Sequence, residues 1–243
     1  MSQYSDTSIS HYEAVFGMDF VSPGGYDTAR DLVASMDLAP GSRVLDIGCG
    51  LGGCAFLLAQ EFGCLVKGID LSENMVARAR AKLSAKKLHD QVSFECVDIL
   101  KYNSDRSYDA VFSRDVFLHI GNKSDLLNRI RELLVAGGKL LFTDYARGPE
   151  PHCDTFDRYV SERGYVLHSA EEYAELIREA GFSDVEVRDC TEDFITILGH
   201  ECSRIPDLGL PSTVSAALEA SWNAKINHAR LGDHRWLRAT AVA

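Results

Sequence analysis

Residues 43–53 read Arg-Val-Leu-Asp-Ile-Gly-Cys-Gly-Leu-Gly-Gly, an apolar run that enters a glycine loop and then the helical pattern Cys54 to Phe62. Glycines let the backbone turn sharply and approach a ligand, and the helix that follows aims its N-terminal amides at the same point. A strand, loop and helix of this kind belong to an α/β sheet with a nucleotide-type binding turn. The string also matches the dinucleotide fingerprint at Gly48, Gly50 and Gly53, so an NAD(P)-binding oxidoreductase is one reading. Asp46 stands against it, because it occupies the strand's end, where dinucleotide enzymes usually carry an apolar residue or another glycine.

Two further acids follow the same rule. Leu65 to Asp70 is a short apolar run whose terminal carboxylate is placed to take the hydroxyls of a ribose, and Val92 to Asp98 is a third such run, followed by Ile99. Any one acid at a strand end also reads as a turn former or helix cap. Three in register with a glycine loop form a set. Asp46-x-Gly48-x-Gly50 with Asp70 and Asp98 resembles the S-adenosylmethionine-dependent methyltransferases of class I. That resemblance implies that Asp98 meets the adenine amino group and Ile99 packs on its ring.

With 243 residues, 46% hydrophobic and 25% charged, the chain can bury a substantial core as one domain over 1–243. No apolar run is long enough to span a bilayer, and Met1-Ser2-Gln3-Tyr4-Ser5-Asp6 lacks the basic and apolar regions of a signal peptide. The expectation is a cytoplasmic protein without membrane insertion. A net charge of −11 and the lack of a lysine and arginine cluster argue against a nucleic-acid partner. Seven cysteines form an odd count without metal-ligand spacing. Cys49, Cys54, Cys64 and Cys96 read as reduced, small core side chains, and no histidine spacing suggests a metal. Met18, Met36 and Met75 read as core or contact filler.

Strands near 43–48, 65–70, 92–98, 108–114, 138–145, 184–190 and 234–242 alternate with helices near 24–36, 53–62, 72–86, 123–136, 154–163, 169–180 and 213–228. This alternation predicts a doubly wound, mostly parallel sheet with ligands beyond the carboxyl ends of its strands, where Arg114, Asp115, His119 and Tyr145 fall. Two segments exceed what the sheet needs: a leader, 1–23, and an insertion, 146–183, both suited to cover the strand ends as lid and acceptor pocket. Tyr159 and Arg163 share one face of the helix predicted over 154–163, followed by Tyr165. Taken alone, that helix also reads as solvated with an aromatic anchor, Lys225 as a surface lysine, and His119 as a histidine satisfied at a strand-to-helix junction.

Beyond the general motif, the chain carries Gln3-Tyr4, the segment Tyr12 to Phe16 with Ser22-Pro23-Gly24-Gly25, and Ser113-Arg114-Asp115-Val116-Phe117-Leu118-His119. It also carries Thr143-Asp144-Tyr145, Tyr159 to Tyr165, Trp222 with Lys225, and a closing Arg235-Trp236. From Gln3 to Thr240 it resembles the phosphoethanolamine N-methyltransferases. The resemblance implies a Rossmann-like methyltransferase sheet and conversion of phosphoethanolamine, through mono- and dimethyl intermediates, to phosphocholine. The methyl donor would be S-adenosylmethionine, leaving S-adenosylhomocysteine, with a small phosphobase as acceptor and the chain acting as a monomer. Tyr4 and His119 would form a catalytic dyad at the acceptor nitrogen with Asp115 facing the amine, and Gln3 and Ser22 would complete the pocket. Tyr145, Tyr159, Arg163, Tyr165 and Lys225 would hold the phosphate. Asp46, Gly48, Gly50, Asp70, Leu71, Asp98, Ile99 and Arg114 would line the cofactor site. Another small amine or an amino acid is the alternative acceptor, separated from the first by whether phosphate is required.

Overall fold

A computed structural model describes residues 6–105 and 107–243; Gln3 and Tyr4 lie outside the described residues. The strand Arg43–Ile47 (β1) buries its last four residues in succession, the pattern of a strand covered on both faces. Tyr108–Arg114 (β4) does the same at all positions but one. Around them lie Leu65–Asp70 (β2), Val92–Cys96 (β3), Leu134–Arg147 (β5), Ser183–Asp189 (β6) and His234–Val242 (β7), in the order β3-β2-β1-β4-β5-β7-β6. The first five are mutually parallel; β7 runs antiparallel to both β5 and β6.

This order sets the site. Chain connections from β1 and β4 diverge to opposite faces of the sheet, which opens a crevice beyond their carboxyl ends. Ile47 pairs with Ser113 across the two strands, so the glycine loop and the Arg114-Asp115 pair leave the sheet side by side.

Helices Gly25–Ser35 (α2), Gly53–Phe62 (α3) and Glu73–Lys86 (α4) cover one face. Their core includes Val33, Phe56, Phe112 and Trp222. Lys123–Leu133 (α5) and Ala170–Glu179 (α7) cover the other, burying Leu126, Ile130, Tyr173 and Ile177 with Leu45 and Phe142. Within the stretch 146–183, α7 therefore belongs to the core, while Asp154–Arg163 (α6) buries only Phe156 and Tyr159 among its described residues.

Three helices go beyond the sequence expectation: Asp6–Phe16 (α1), Thr191–Arg204 (α8) and the length of Ser212–Leu231 (α9). Residues 190–233 thus add a helical pair between β6 and β7. Helix α8 escapes the sequence pattern because Ile195, Thr196, Ile197 and Gly199 all lower helix propensity. It forms because Phe194 and Leu198, one turn apart, are fully buried. Two smaller expectations are corrected. Met18 is 77% exposed rather than filling a contact, and Cys96 ends the edge strand β3 in solvent rather than in the core. The other methionines, Met36 and Met75, are buried. Among the described residues, no helix is long and apolar enough to cross a membrane.

Phe194 stacks on Trp236 and contacts Tyr145, so Phe194→Ala is expected to lower stability by about 3–5 kcal/mol in chemical denaturation. Met18→Gln, at an exposed turn, is expected to change it by less than about 0.5 kcal/mol. A small effect at Phe194 would mean that α8 does not anchor the sheet.

Candidate active site

The glycine loop is shaped by its neighbours. Gly48 has φ +70° and donates to Ile69 O at 2.8 Å, and a Cβ on it would lie 2.2 Å from a methyl of Val116, so only glycine fits. Beneath it, Asp46 is 2% exposed with Oδ2 unpartnered. Burial, with the nearby Asp70, pushes its pKa up to about 7 against the pull of Arg114. Asp70 accepts from Ser72 N at 2.8 Å and Gly50 N at 2.9 Å. Its carboxylate therefore fixes the loop and the start of α4 as well as facing the cavity; burial raises its pKa and the backbone donors oppose the rise.

Beyond these residues lies a cavity of about 640 Å³, with Gly48, Gly50, Asp70, Leu71, Asp98 and Ile99 on its walls. Leu71 is 75% exposed, and Asp98 accepts from Leu100 N at 3.0 Å. Apolar walls with a few carboxylates among them suit a nucleoside with a charged tail, and the unpartnered oxygen of Asp46 marks polar capacity beneath the loop. Ser22 and Arg114 also border this cavity. Arg114, however, donates Nη1 to Gly25 O at 2.9 Å and Nη2 to Pro23 O at 2.6 Å, so its terminal nitrogens hold the turn before α2.

Asp115 follows in a left-handed conformation, φ +55°, a strained state for a residue with a side chain. Its amide donates to Thr143 O at 2.8 Å. Oδ1 accepts from Thr143 Oγ1 at 3.0 Å and from Trp236 Nε1 at 2.8 Å, while Oδ2 is buried and unpartnered. Burial raises the pKa of Asp115; Arg114, Trp236, Thr143 and Lys225 oppose this.

His119 ends a short 3₁₀ turn, Phe117–His119, on the same cavity wall. Burial, then Lys123, push its pKa below the usual range. A buried network holds this turn: Asp144 accepts from Leu118 N at 3.0 Å and from the Tyr173 hydroxyl, and Lys123 Nζ donates to Ile120 O at 2.5 Å and Val166 O at 2.9 Å. Burial pushes Asp144 up and Lys123 down. Lys123 thereby ties the His119 turn to the segment carrying Tyr165, whose ring meets His119 edge-on at 5.2 Å.

A second cavity, of about 480 Å³, adjoins the first; Val21, Pro23, Tyr145 and Tyr165 line both. Tyr12, Tyr159, Arg163, Trp222 and Lys225 line only the second. The Arg163 guanidinium lies 4.2 Å from the Tyr159 ring centre, and Lys225 Nζ 4.3 Å from that of Trp222. Burial lowers the pKa of Lys225 to about 8, with Arg163 adding and Glu201 and Asp115 opposing. Burial raises the phenols of Tyr145 and Tyr159, keeping them protonated as donors. Two cations and several phenols around one cavity suit the oxygens of a phosphate.

Sequence reasoning did not assign Thr143, Trp236, Asp144, Lys123 or Tyr173 a role at the site, although three of them lie in the motifs singled out. Their partners are far apart in the chain, as in Trp236 with Asp115, so no local pattern reveals them. Among the described residues, no group of three or more His, Cys, Asp and Glu could hold a metal ion.

A family model described as a methyltransferase domain matches residues 38–186, which decides the glycine loop against the dinucleotide reading. Phosphoethanolamine N-methyltransferase 1 of Arabidopsis thaliana is 42% identical over 84% of this chain and 41% of its own length. The Plasmodium falciparum phosphoethanolamine N-methyltransferase is 32% identical over 97% of this chain and 91% of its own. A structure of Haemonchus contortus phosphoethanolamine N-methyltransferase 2, with phosphomonomethylethanolamine and S-adenosylhomocysteine, superimposes with a TM-score of 0.95 at 35% identity, covering 99% of this chain and 58% of that one. The chain thus spans about half the length of the plant relatives and nearly all of the Plasmodium one. With the sheet, the three strand-end acids and matches of this extent, the chain belongs to the phosphoethanolamine N-methyltransferase family.

Proposed function

We propose that the chain methylates phosphoethanolamine with S-adenosylmethionine, through mono- and dimethyl intermediates, to phosphocholine. The observation that carries this reading is the junction of the two cavities, where Tyr145 and Tyr165 border both, with Asp115 and His119 on one side and Arg163 and Lys225 on the other. A phosphate in the second cavity would leave a two-carbon amine pointing at the first. The phosphomonomethylethanolamine in the Haemonchus structure is a molecule of this shape.

Asp46, Gly48, Gly50, Asp70, Leu71, Asp98, Ile99 and Arg114 would hold the methyl donor, which when bound supplies an activated methyl group on a sulfonium. The acceptor is the harder problem. A primary amine with pKa about 10 is uncharged in only about one molecule in a thousand at pH 7, a barrier contribution of roughly 4 kcal/mol. His119, its pKa pushed down, is mainly unprotonated at neutral pH and would take the amine proton directly or through Tyr4. Asp115 offers its unpartnered oxygen to the positive charge that grows on nitrogen during transfer. Tyr145, Tyr159, Arg163, Tyr165 and Lys225 fix the phosphate, with Gln3 and Ser22 closing the pocket, and so align the amine. The leader, 1–23, serves as a lid that excludes water.

Incubation with S-adenosylmethionine and either phosphoethanolamine or ethanolamine, read by mass spectrometry, is expected to give a ladder of methylated products from the phosphorylated amine alone. Methylation of ethanolamine at a similar rate would remove the phosphate pocket from the reading. Arg163→Ala is expected to raise the acceptor's KM by about 10- to 100-fold, the weight of a charge-assisted hydrogen bond, with S-adenosylhomocysteine affinity unchanged; equal damage to both would sink this role. Because Lys225 loses its proton above about 8, kcat/KM for the acceptor is expected to fall through that pH. Lys225→Arg, charged at every accessible pH, is expected to abolish the fall. A fall that survives this substitution excludes Lys225 as its source.

A further inference from the structure

Helix α8 carries a carboxylate that the proposed chemistry does not use. Glu201 is 5% exposed, and an interior carboxylate is costly unless both oxygens are satisfied. They are: Oε1 accepts from Gly24 N at 2.6 Å, and Oε2 from Trp222 Nε1 at 2.9 Å. Burial still raises its pKa, while these two donors, Lys225 and Arg114 hold it down.

The two donors belong to different parts of the site. Gly24 lies in the turn whose Ser22 and Pro23 border the first cavity, and Trp222 walls the second beneath Lys225. The turn is held at three successive residues, with Pro23 O and Gly25 O accepting from Arg114 and Gly24 N donating to Glu201. Gly24 has φ +77°, and a Cβ on it would lie 1.8 Å from Thr28 Oγ1, so only glycine fits at the residue whose amide donates to Glu201.

We propose that Glu201 is a positioning residue that joins the turn over the cofactor cavity to the Trp222 wall of the acceptor cavity, so that filling one cavity favours binding in the other. The proposal rests on the assignment of the two cavities made above. An acceptor phosphate that fixes Lys225 and Trp222 also fixes Glu201, and through it the turn. Occupancy of the second cavity thereby stabilises the cover of the first, and by linkage the reverse holds equally.

The test uses the full chain as wild type, Glu201→Gln and Trp222→Phe. Gln keeps the shape, but its NH2 must face either the Gly24 amide or the Trp222 indole N–H, donor against donor. Phe keeps a ring beneath Lys225 and removes the N–H together with part of the indole's volume. Hydrogen exchange over residues 22–28, with and without S-adenosylhomocysteine, is expected to quicken by about tenfold or more in E201Q while the β1 and β4 amides are unchanged. In calorimetry, phosphoethanolamine is expected to tighten S-adenosylhomocysteine binding several-fold in wild type, with the ratio falling toward one in both variants. A loss of melting temperature with the ratio unmoved would make Glu201 merely structural and overturn the proposal, as would equal exchange in wild type and E201Q. If E201Q does not fold, the ratio in W222F decides: its persistence overturns the link, its loss supports it. Failure of phosphoethanolamine to bind wild type would refute the acceptor assignment, while the exchange comparison would still judge the Glu201 contact.

Discussion

The site depends on one topological constraint, the reversal of strand order at β1 and β4. Parallel strands whose connections leave to opposite faces cannot be covered at that point by either connection, and the backbone amides and side chains at their ends are left to face a crevice. The register carries this into chemistry: with Ile47 opposite Ser113, Gly48 and Arg114 emerge as neighbours, and Val116 packs against Gly48 so closely that no side chain could stand there. Everything that follows, from the glycine loop to the His119 turn, is fixed relative to that pair of strands.

The second theme is the management of buried charge. Asp46, Asp115, Asp144 and Glu201 are all withdrawn from bulk water, and burial raises the pKa of each. They differ in what compensates. Asp144 and Glu201 have both oxygens engaged by protein donors, the arrangement of groups that hold structure. Asp46 and Asp115 each keep an oxygen without a partner. Such an orphaned atom costs about 1–3 kcal/mol, a cost that a bound cation or donor would relieve. The pattern of satisfied and unsatisfied oxygens thus divides the four into two that are fully engaged by the fold and two that keep capacity for a further partner.

Much of this was legible in the sequence, and what was legible was local. The seven strands, the glycine loop and the strand-end acids follow from periodicity and from short apolar runs ending in Asp46, Asp70 and Asp98. Helix α8 was not, because its β-branched run and Gly199 disfavour a helix that tertiary burial of Phe194 and Leu198 nevertheless imposes. The orientation of β7 was not specified by the alternation rule either, since antiparallel pairing on both sides depends on how residues 190–233 return the chain. Side-chain partners were the least legible. Trp236 reaches Asp115, and Tyr173 reaches Asp144, across separations that leave no spacing in the chain to read.

The division between local and remote also separates the two halves of the site. The first cavity takes Gly48, Asp70, Asp98, Arg114 and Asp115 from the ends of β1, β2 and β4 and the loop after β3, positions dictated by the sheet itself. The second cavity draws Tyr12 from α1, Tyr159 and Arg163 from α6, and Trp222 and Lys225 from α9, elements added around the sheet. A substitution on those helices can alter what fits the second cavity without disturbing a strand. The cost is that their placement must be secured by contacts other than strand pairing. Arg114 and Glu201 supply such contacts, each using a buried charge to bind the backbone of the turn that joins α1 to α2. Among the described residues, the two cavities share Val21, Pro23, Tyr145 and Tyr165. Two of these four residues sit in that turn, so the geometry of the junction is set as much by it as by the sheet.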